Sequence, residues 1–272
     1  MKNDLLRKVW NKRADLHLNR KQCQTRDKFS EFYNESWWQF ISPCLSEIST
    51  GRILEAGCGT GRWAERLSRM GFDVVLSDIS PKMLQNARKL AEKSDFAHKL
   101  SFEELDICEM PSLQKNSFDM VLSTGEPLTL CASPEKAVSE FCRVVRPGGY
   151  VLCDAGNRYR KGLDLFNEKK FHQAMKVLET GKYTGESELT HHLLGVEELA
   201  KLFETNQMEV CHIAGITPLY SFPPHGDLKG ALDKEKVFCS MLEISKDHAE
   251  RPGITHLSSR LLAVARKPHH RA

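Results

Sequence analysis

The stretch Arg52-Ile-Leu-Glu-Ala-Gly-Cys-Gly-Thr-Gly61 constrains this chain more than any other. Arg52 to Ala56 reads as a short buried strand, and Gly57, Gly59 and Gly61 read as a tight turn. Arg62 to Met70 then reads as a helix with Trp63, Ala64 and Leu67 on its apolar side. Glycines let a backbone turn tightly and approach a ligand, and a helix start presents free N–H groups. Strand, glycine turn and helix therefore make a nucleotide-type binding corner. A tight turn without a ligand uses the same residues, so the corner needs support from elsewhere in the chain.

Two later runs supply it. Asp73-Val-Val-Leu-Ser-Asp78 ends on an acid about twenty residues after the glycine turn, where a dinucleotide fold places its ribose-binding carboxylate. Leu100-Ser-Phe-Glu-Glu-Leu-Asp106 ends on another acid. Three successive strands with polar C-terminal ends describe a crevice along one edge of a parallel sheet.

Glu55-Ala-Gly-Cys-Gly-Thr-Gly61 resembles the first motif of the class I S-adenosylmethionine-dependent methyltransferases, acid-x-Gly-x-Gly-x-Gly, and not the dehydrogenase Gly-x-Gly-x-x-Gly. The resemblance continues through Asp78-Ile-Ser-Pro-Lys-Met83, Asp106-Ile107 and Phe118-Asp-Met-Val-Leu-Ser123. Val144-Val-Arg-Pro-Gly-Gly-Tyr-Val151 is similar to the family's Leu-x-Pro-Gly-Gly turn before its fifth strand. These pieces cover about residues 50 to 155 in the family's order.

The resemblance implies an α/β fold, a doubly wound, mostly parallel seven-stranded Rossmann-like sheet with helices on both faces. It also implies S-adenosyl-L-methionine as cofactor and S-adenosyl-L-homocysteine as its product. Carried over residue by residue, Glu55, Gly57, Cys58, Gly59 and Gly61 shape the methionine end. Asp78 with Ile79 holds the ribose, and Asp106 with Ile107 reads the adenine edge. Met83 is near enough to the preceding turn to touch an adenine, although its spacing reads first as core packing, and Ser123 is a further expected contact. The resemblance implies little about the acceptor.

Amino-methylating enzymes that act on adenine or glutamine place an Asn/Asp-Pro-Pro-Tyr type motif after the fourth strand. This chain has Ser123-Thr-Gly-Glu-Pro-Leu128 there, which disfavours those targets. Glu126 is a candidate general base or orienting group, or else a loop carboxylate in solvent. Gly125 to Ala137, with Asn157-Arg158 closing the fifth strand, also resembles a bacterial and archaeal subgroup of small-molecule methyltransferases.

Outside this core, residues 1–50 are expected to form a helical lid. Leu5, Leu6, Val9 and Trp10 recur at helical spacing, as do Phe29, Phe32, Tyr33, Trp37, Phe40 and Ile41, with Pro43 ending or kinking the second helix. Tyr33 lies a turn from Trp37 and is a candidate cofactor contact; both could equally be packing residues. The basic run Asn19 to Arg26 reads as solvated surface.

Residues 51–272 are expected to be the methyltransferase domain, with cap insertions at 157–193 and 219–256 that close over the acceptor. The first insertion is basic and carries a helical apolar side, so it is either a cap or an ordinary surface helix. It leads into Thr190-His-His192. Adjacent histidines on an extended segment point to opposite faces, so one of His191 and His192 can enter a pocket as a base.

The 272 residues suit one domain with insertions, and the 40% hydrophobic share supports a core. A net charge of +3 makes no general case for a polyanion partner, so nucleic acid is not expected. No apolar run reaches the roughly 20 residues that span a bilayer, so no membrane partner is expected. Nine cysteines are scattered without a Cys-x-x-Cys pair, which reads as reduced thiols in a cytoplasmic protein with no metal.

The sequence therefore predicts a methyltransferase acting on a small-molecule acceptor, possible anionic character included, as a monomer or homodimer. Two alternatives stay open. One is an RNA- or protein-directed enzyme, if the basic residues of 19–26 and 158–182 merge into one surface. The other is a binding protein that keeps the ligand without catalysis.

Overall fold

The computed structural model describes residues 2–24, 28–92, 94–185, 188–216 and 228–269. Strands β1 (Arg52–Ala56), β2 (Asp73–Asp78), β3 (Leu100–Glu104), β4 (Phe118–Ser123) and β5 (Val145–Gly156) run parallel in one sheet. A separate antiparallel hairpin joins β6 (Lys182–Thr184) to β7 (Thr190–His192). β8 (Glu209–Ile216) and β9 (Arg260–Arg266) complete the main sheet, in the order β3-β2-β1-β4-β5-β9-β8, with β9 antiparallel to both neighbours. The order reverses between β1 and β4. Open α/β sheets bind ligands at such a switch point, outside the strand C-termini.

Period-two alternation explains why both faces are covered. Ile53, Val74, Leu76, Met120, Leu122, Leu152 and Val264 point to one face, into a single apolar cluster with Trp37, Ile41, Leu67 and Leu84. Leu54, Val75, Val121, Val151, Leu261 and Ala263 point to the other, against Val138, Phe141, Leu199 and Phe203. The first face is therefore packed by α2 (Lys28–Ile48), α3 (Ala64–Arg69) and α4 (Pro81–Ala91). The second is packed by α5 (Pro127–Leu130), α6 (Pro134–Val144), and, beyond the helix pair α7 (Arg158–Asn167) and α8 (Phe171–Thr180), by α9 (Val196–Thr205). Ser80 and Ser133 cap α4 and α6, each accepting from the backbone N–H three residues on, with proline in the first turn.

α2 runs through Pro43 to Ile48, although proline was expected to end or kink it near there. Phe40, Ile41, Cys44, Leu45 and Ile48 are buried on both sides of the ring. Burying such side chains contributes roughly 1.5–3 kcal/mol each, which outweighs the approximately 3 kcal/mol an internal proline costs. The N-terminal helix α1 (Lys2–Gln24) packs on α4, and the side chains of the basic run from residue 20 to 27 lie outside the described part.

The first insertion, 157–193, folds as α7, α8 and the β6–β7 hairpin. Its inner side is a small core of Leu165, Ala174, Val177 and Leu193. In the second, 217–227 lie outside the described residues. Its described part forms α10 (Leu228–Leu232), α11 (Glu235–His248) and α12 (Pro252–Leu257). Phe238 of α11 meets Phe32 of α2 at 5.7 Å, so this segment braces the back of α2. All eight described cysteines are free, five of them buried.

Candidate active site

A cavity of about 930 Å³ opens at the switch point, outside the C-termini of β1 to β4. Gly57, Cys58, Gly59 and Thr60 from the turn after β1 form its floor, with Asp78 and Ile79 after β2. Asp106 and Ile107 follow β3, and Thr124 to Pro127 follow β4. Gly57 sits at φ +67°, and a Cβ there would meet Pro127 Cγ at 2.6 Å. Gly59, at φ +55°, has nothing within 4 Å of that position, because it faces the cavity.

Carboxylates hold this turn. Asp78 Oδ2 accepts from the Gly59 N–H at 2.9 Å, and its Oδ1 accepts from the Ser80 N–H at 2.8 Å. Burial pushes the Asp78 carboxyl up to about 6, against the lowering by these backbone donors. Glu55 is buried behind the floor, where Oε1 accepts from the N–H groups of Arg62 at 2.7 Å and Trp63 at 3.2 Å. It satisfies the orphan donors at the entry to α3 and does not line the cavity. Gly61 also lies behind the wall, at φ +79°. Asp106 Oδ1 accepts from the Cys108 N–H at 2.9 Å, and its Oδ2 accepts from Asn3 of α1 at 2.6 Å.

Met83, fully buried on α4, reaches the cavity wall. Ser123 does not: as the last residue of β4 it points into the core, and the next residue, Thr124, faces the opening. Thr124 Oγ1 accepts from Trp63 Nε1 at 2.9 Å.

A charged cluster forms the far wall. Arg260, first residue of β9, donates from Nη2 to Glu126 Oε2 at 3.1 Å, with Nη1 at 3.4 Å from Asp154 Oδ2. Asp154 is fully buried at the end of β5, and its other oxygen accepts from the N–H groups of Gly125 (2.8 Å) and Glu126 (3.0 Å). That anchoring accompanies a left-handed φ of +74° at Glu126, a rare state for a non-glycine residue. Tyr33 of α2 lines the cavity beside this cluster, with the Arg260 guanidinium 5.5 Å from its ring centre. Burial pushes its phenol up to about 12 while Arg260 pulls it down, so Tyr33 carries its proton at neutral pH. Arg62 lies over the Trp37 ring at 4.7 Å and donates to Asn34 at 2.9 Å.

The roof comes from α1 and the first insertion. Trp10, Arg13 and His17 of α1 line it, as do Lys161, Tyr183, Leu189 and His191. Leu189 joins Leu6, Ile79, Trp10 and Leu130 in one apolar cluster, so α1, the hairpin and the sheet edge meet there. Alternation along β7 separates the two histidines. His191 faces the cavity beside the Tyr183 ring (5.7 Å), and His192 lies near Glu135, outside the cavity. Burial, then the nearby Lys161 and Arg13 charges, lower the His191 pKa below its ordinary 6.5, so its ring is neutral at pH 7.

None of the described residues 228–256 lines the cavity. Among the described residues no His/Cys/Asp/Glu group is arranged to hold a metal ion. Of the basic residues in 158–182, Arg158, Arg160 and Lys170 are ion-paired with Glu198, Asp164 and Glu168.

Sequence reasoning singled out none of Arg62, Arg260, Asp154, Arg13 and Tyr183, and it placed Trp10 in a lid helix without giving it a place in the cavity. Arg260 and Asp154 are 106 positions apart, and only the pairing of β5 with β9 joins them. A signal for Arg62 was its place directly after the glycine turn.

Residues 53–149, which carry the floor of this cavity, match the family described as "Methyltransferase domain". They are a methyltransferase domain. Malonyl-[acyl-carrier protein] O-methyltransferase of Buchnera aphidicola is 34% identical over 139 residues, 47% of this chain and 53% of that protein. Ubiquinone biosynthesis O-methyltransferase of Bordetella avium is 26% identical over 188 residues, 67% of this chain and 74% of that protein. The chain spans about half the length of several curated relatives it matches, 53%, 48% and 47% in three of them. A solved SAM-dependent methyltransferase from Methanosarcina mazei superposes with a TM-score of 0.57 at 18% identity, over 81% of this chain and 93% of that one. That likeness is one of fold. The match ends at residue 149, within β5, so the roof, Arg260 and the described insertions lie outside the matched residues.

Proposed function

We propose that the chain transfers a methyl group from S-adenosyl-L-methionine to a small-molecule acceptor that carries negative charge. One observation carries this reading. A single cavity joins a glycine-and-carboxylate end to a far end bearing Arg13, Lys161 and a neutral His191. Among the described residues neither Arg13 nor Lys161 makes an ion pair, so their charge is available to a ligand.

The bound donor supplies an electrophilic methyl on its sulfonium. Gly57, Cys58 and Gly59 leave room for its methionine part, and Glu55 and Gly61 hold that turn in shape from behind. Asp78, once ionised, accepts from ribose hydroxyls through lone pairs its backbone bonds leave over. Asp106 and the backbone at Ile107 meet the adenine edge, with Ile79 and Met83 as apolar walls. A neutral imidazole nitrogen of His191 takes the acceptor's proton, and Arg13 and Lys161 favour the anion that results. Glu126, held by Arg260, orients the acceptor. Helices α1 and α2 serve as lid to a domain of residues 51–272, with residues 157–193 as its cap.

The test is product formation. The protein would be incubated with S-adenosyl-L-methionine and pairs of acceptors, hydroxyaryl and hydroxyalkyl acids beside their methyl esters, so that both members keep a hydroxyl nucleophile, while S-adenosyl-L-homocysteine is measured. S-adenosyl-L-homocysteine should form with acids and not with their esters. Turnover confined to neutral or cationic acceptors contradicts the charge assignment.

A further inference from the structure

Nine large apolar side chains stand exposed among the described residues, and five of them lie on α7 and α8: Tyr159, Leu163, Phe166, Phe171 and Met175. Their spacing makes one stripe. Tyr159, Leu163 and Phe166 recur at i, i+4 and i+7 along α7, and Phe171 and Met175 at i and i+4 along α8. The Phe166 and Phe171 rings lie 6.0 Å apart, which joins the two halves across the interhelical turn. Holding the hairpin together does not require this stripe. The helices already meet through Leu165, Ala174 and Val177, and through Leu178 seated against Gly162.

The charges beside the stripe point to the occupant. Lys169, in the turn before α8, and Lys176, next to Met175 in the chain, make no ion pair among the described residues, whereas Arg158 and Arg160 are committed to Glu198 and Asp164. Protein interfaces favour arginine and deplete lysine. Unpaired lysines on long stems beside Phe, Leu and Met are instead the composition of a helix that lies in a bilayer interface and meets anionic headgroups. No described helix is long and apolar enough to cross a membrane, which bears on spanning a bilayer and not on lying against one. The position also fits. The turn between Phe166 and Phe171 carries Glu168 and Lys170, and both line the cavity. The apolar stripe therefore begins at the cavity rim.

We propose that the α7–α8 hairpin is a peripheral docking surface for an anionic lipid bilayer. Leu163, Phe166, Phe171 and Met175 enter the headgroup–acyl boundary, and Lys169 and Lys176 meet the lipid phosphates. Docked this way, the chain holds the rim of its cavity against the membrane.

Co-sedimentation of the full chain tests this, using phosphatidylglycerol–phosphatidylcholine vesicles and vesicles of phosphatidylcholine alone. The chain should pellet with the first and bind the second about tenfold less or weaker still. The double variant Phe171→Glu, Met175→Glu should lose vesicle binding while its circular dichroism and its calorimetric affinity for S-adenosyl-L-homocysteine stay unchanged. A second variant, Lys169→Gln with Lys176→Gln, should lose the preference for anionic vesicles. Absence of sedimentation with either vesicle overturns the proposal, as does binding that the Phe171→Glu, Met175→Glu variant retains. A dimer that this variant dissociates, without vesicle binding, makes the stripe a seam between two copies and also overturns it. The calorimetric arm reads the donor site separately, so the two readings fail independently.

Discussion

Arg260 stands between two carboxylates, 3.1 Å from Glu126 and 3.4 Å from the fully buried Asp154. Asp154 is pushed up by burial and drawn back chiefly by Arg260, so one guanidinium keeps a buried charge tolerable at the cavity wall. Removing it leaves that charge to the Gly125 and Glu126 N–H groups and to Arg62, without its ion-pair partner. Arg260→Ala should destabilise the fold by about 3 kcal/mol, read as a lower denaturation midpoint in urea. Adding Asp154→Asn should restore most of the loss. If the single variant unfolds at the wild-type midpoint, the cluster is not holding the wall.

The structure penalises replacement of Gly57, in the cavity floor, twice. Its φ is +67°, and a Cβ would meet Pro127 at 2.6 Å. Gly57→Ala should cost at least about 1–2 kcal/mol from the left-handed backbone alone. Gly59→Ala has the backbone strain without the clash, so it should lower stability less while still weakening donor binding. Thermal melts of the two variants would show this order, and equal melts would remove the Pro127 argument.

Asp78 sets a pH dependence for donor binding. Its folded pKa of about 6 lies above its unfolded value, so the folded protein binds this proton more tightly than the unfolded chain does. The sign follows. Asp78 contributes relative stability below the unfolded pKa, and that contribution is lost as pH rises through about 6. Donor binding runs the other way, because ribose hydroxyls donate to the ionised form. Affinity for S-adenosyl-L-homocysteine should fall as pH drops below about 6, and Asp78→Ala should weaken it at least about tenfold at pH 7. A pH-independent affinity would remove Asp78 from the ribose.

His191 and His192 separate by one alternation of β7. With an acceptor in hand, His191→Ala should lower kcat by roughly 10²–10⁴ and His192→Ala far less. The His191 pKa lies below its ordinary value, so activity should rise with pH through the acid range and be level by pH 7. If neither change affects turnover, Glu126 is the next candidate base, or the transfer needs none.

Local patterns carried the sheet and the donor end, because both rest on near neighbours in the chain. The β1 strand, its glycine turn and the acid of β2 are contiguous runs, and each stands in the structure where its pattern put it. Alternation likewise sends only one of His191 and His192 into the cavity, and the pairing of β7 with β6 decides that it is His191. The sequence could not pair Arg260 with Asp154 and Glu126, because that contact needs β9 beside β5. Nor could it show that Ser123 faces the core and Thr124 the opening, since the strand end is set to the residue only by its neighbours. The apolar side of 157–193 was legible as helical. Which of its residues stay uncovered became visible only once Leu165, Ala174 and Val177 were seen to fill the inner face.

Titration calorimetry with S-adenosyl-L-methionine, S-adenosyl-L-homocysteine and NAD tests the central claim most directly, because it needs no acceptor. Both sulfur nucleosides should bind at one site per chain, both should be weakened by Asp78→Ala, and NAD should not bind. Tight binding of NAD with no heat from either sulfur nucleoside would contradict the account.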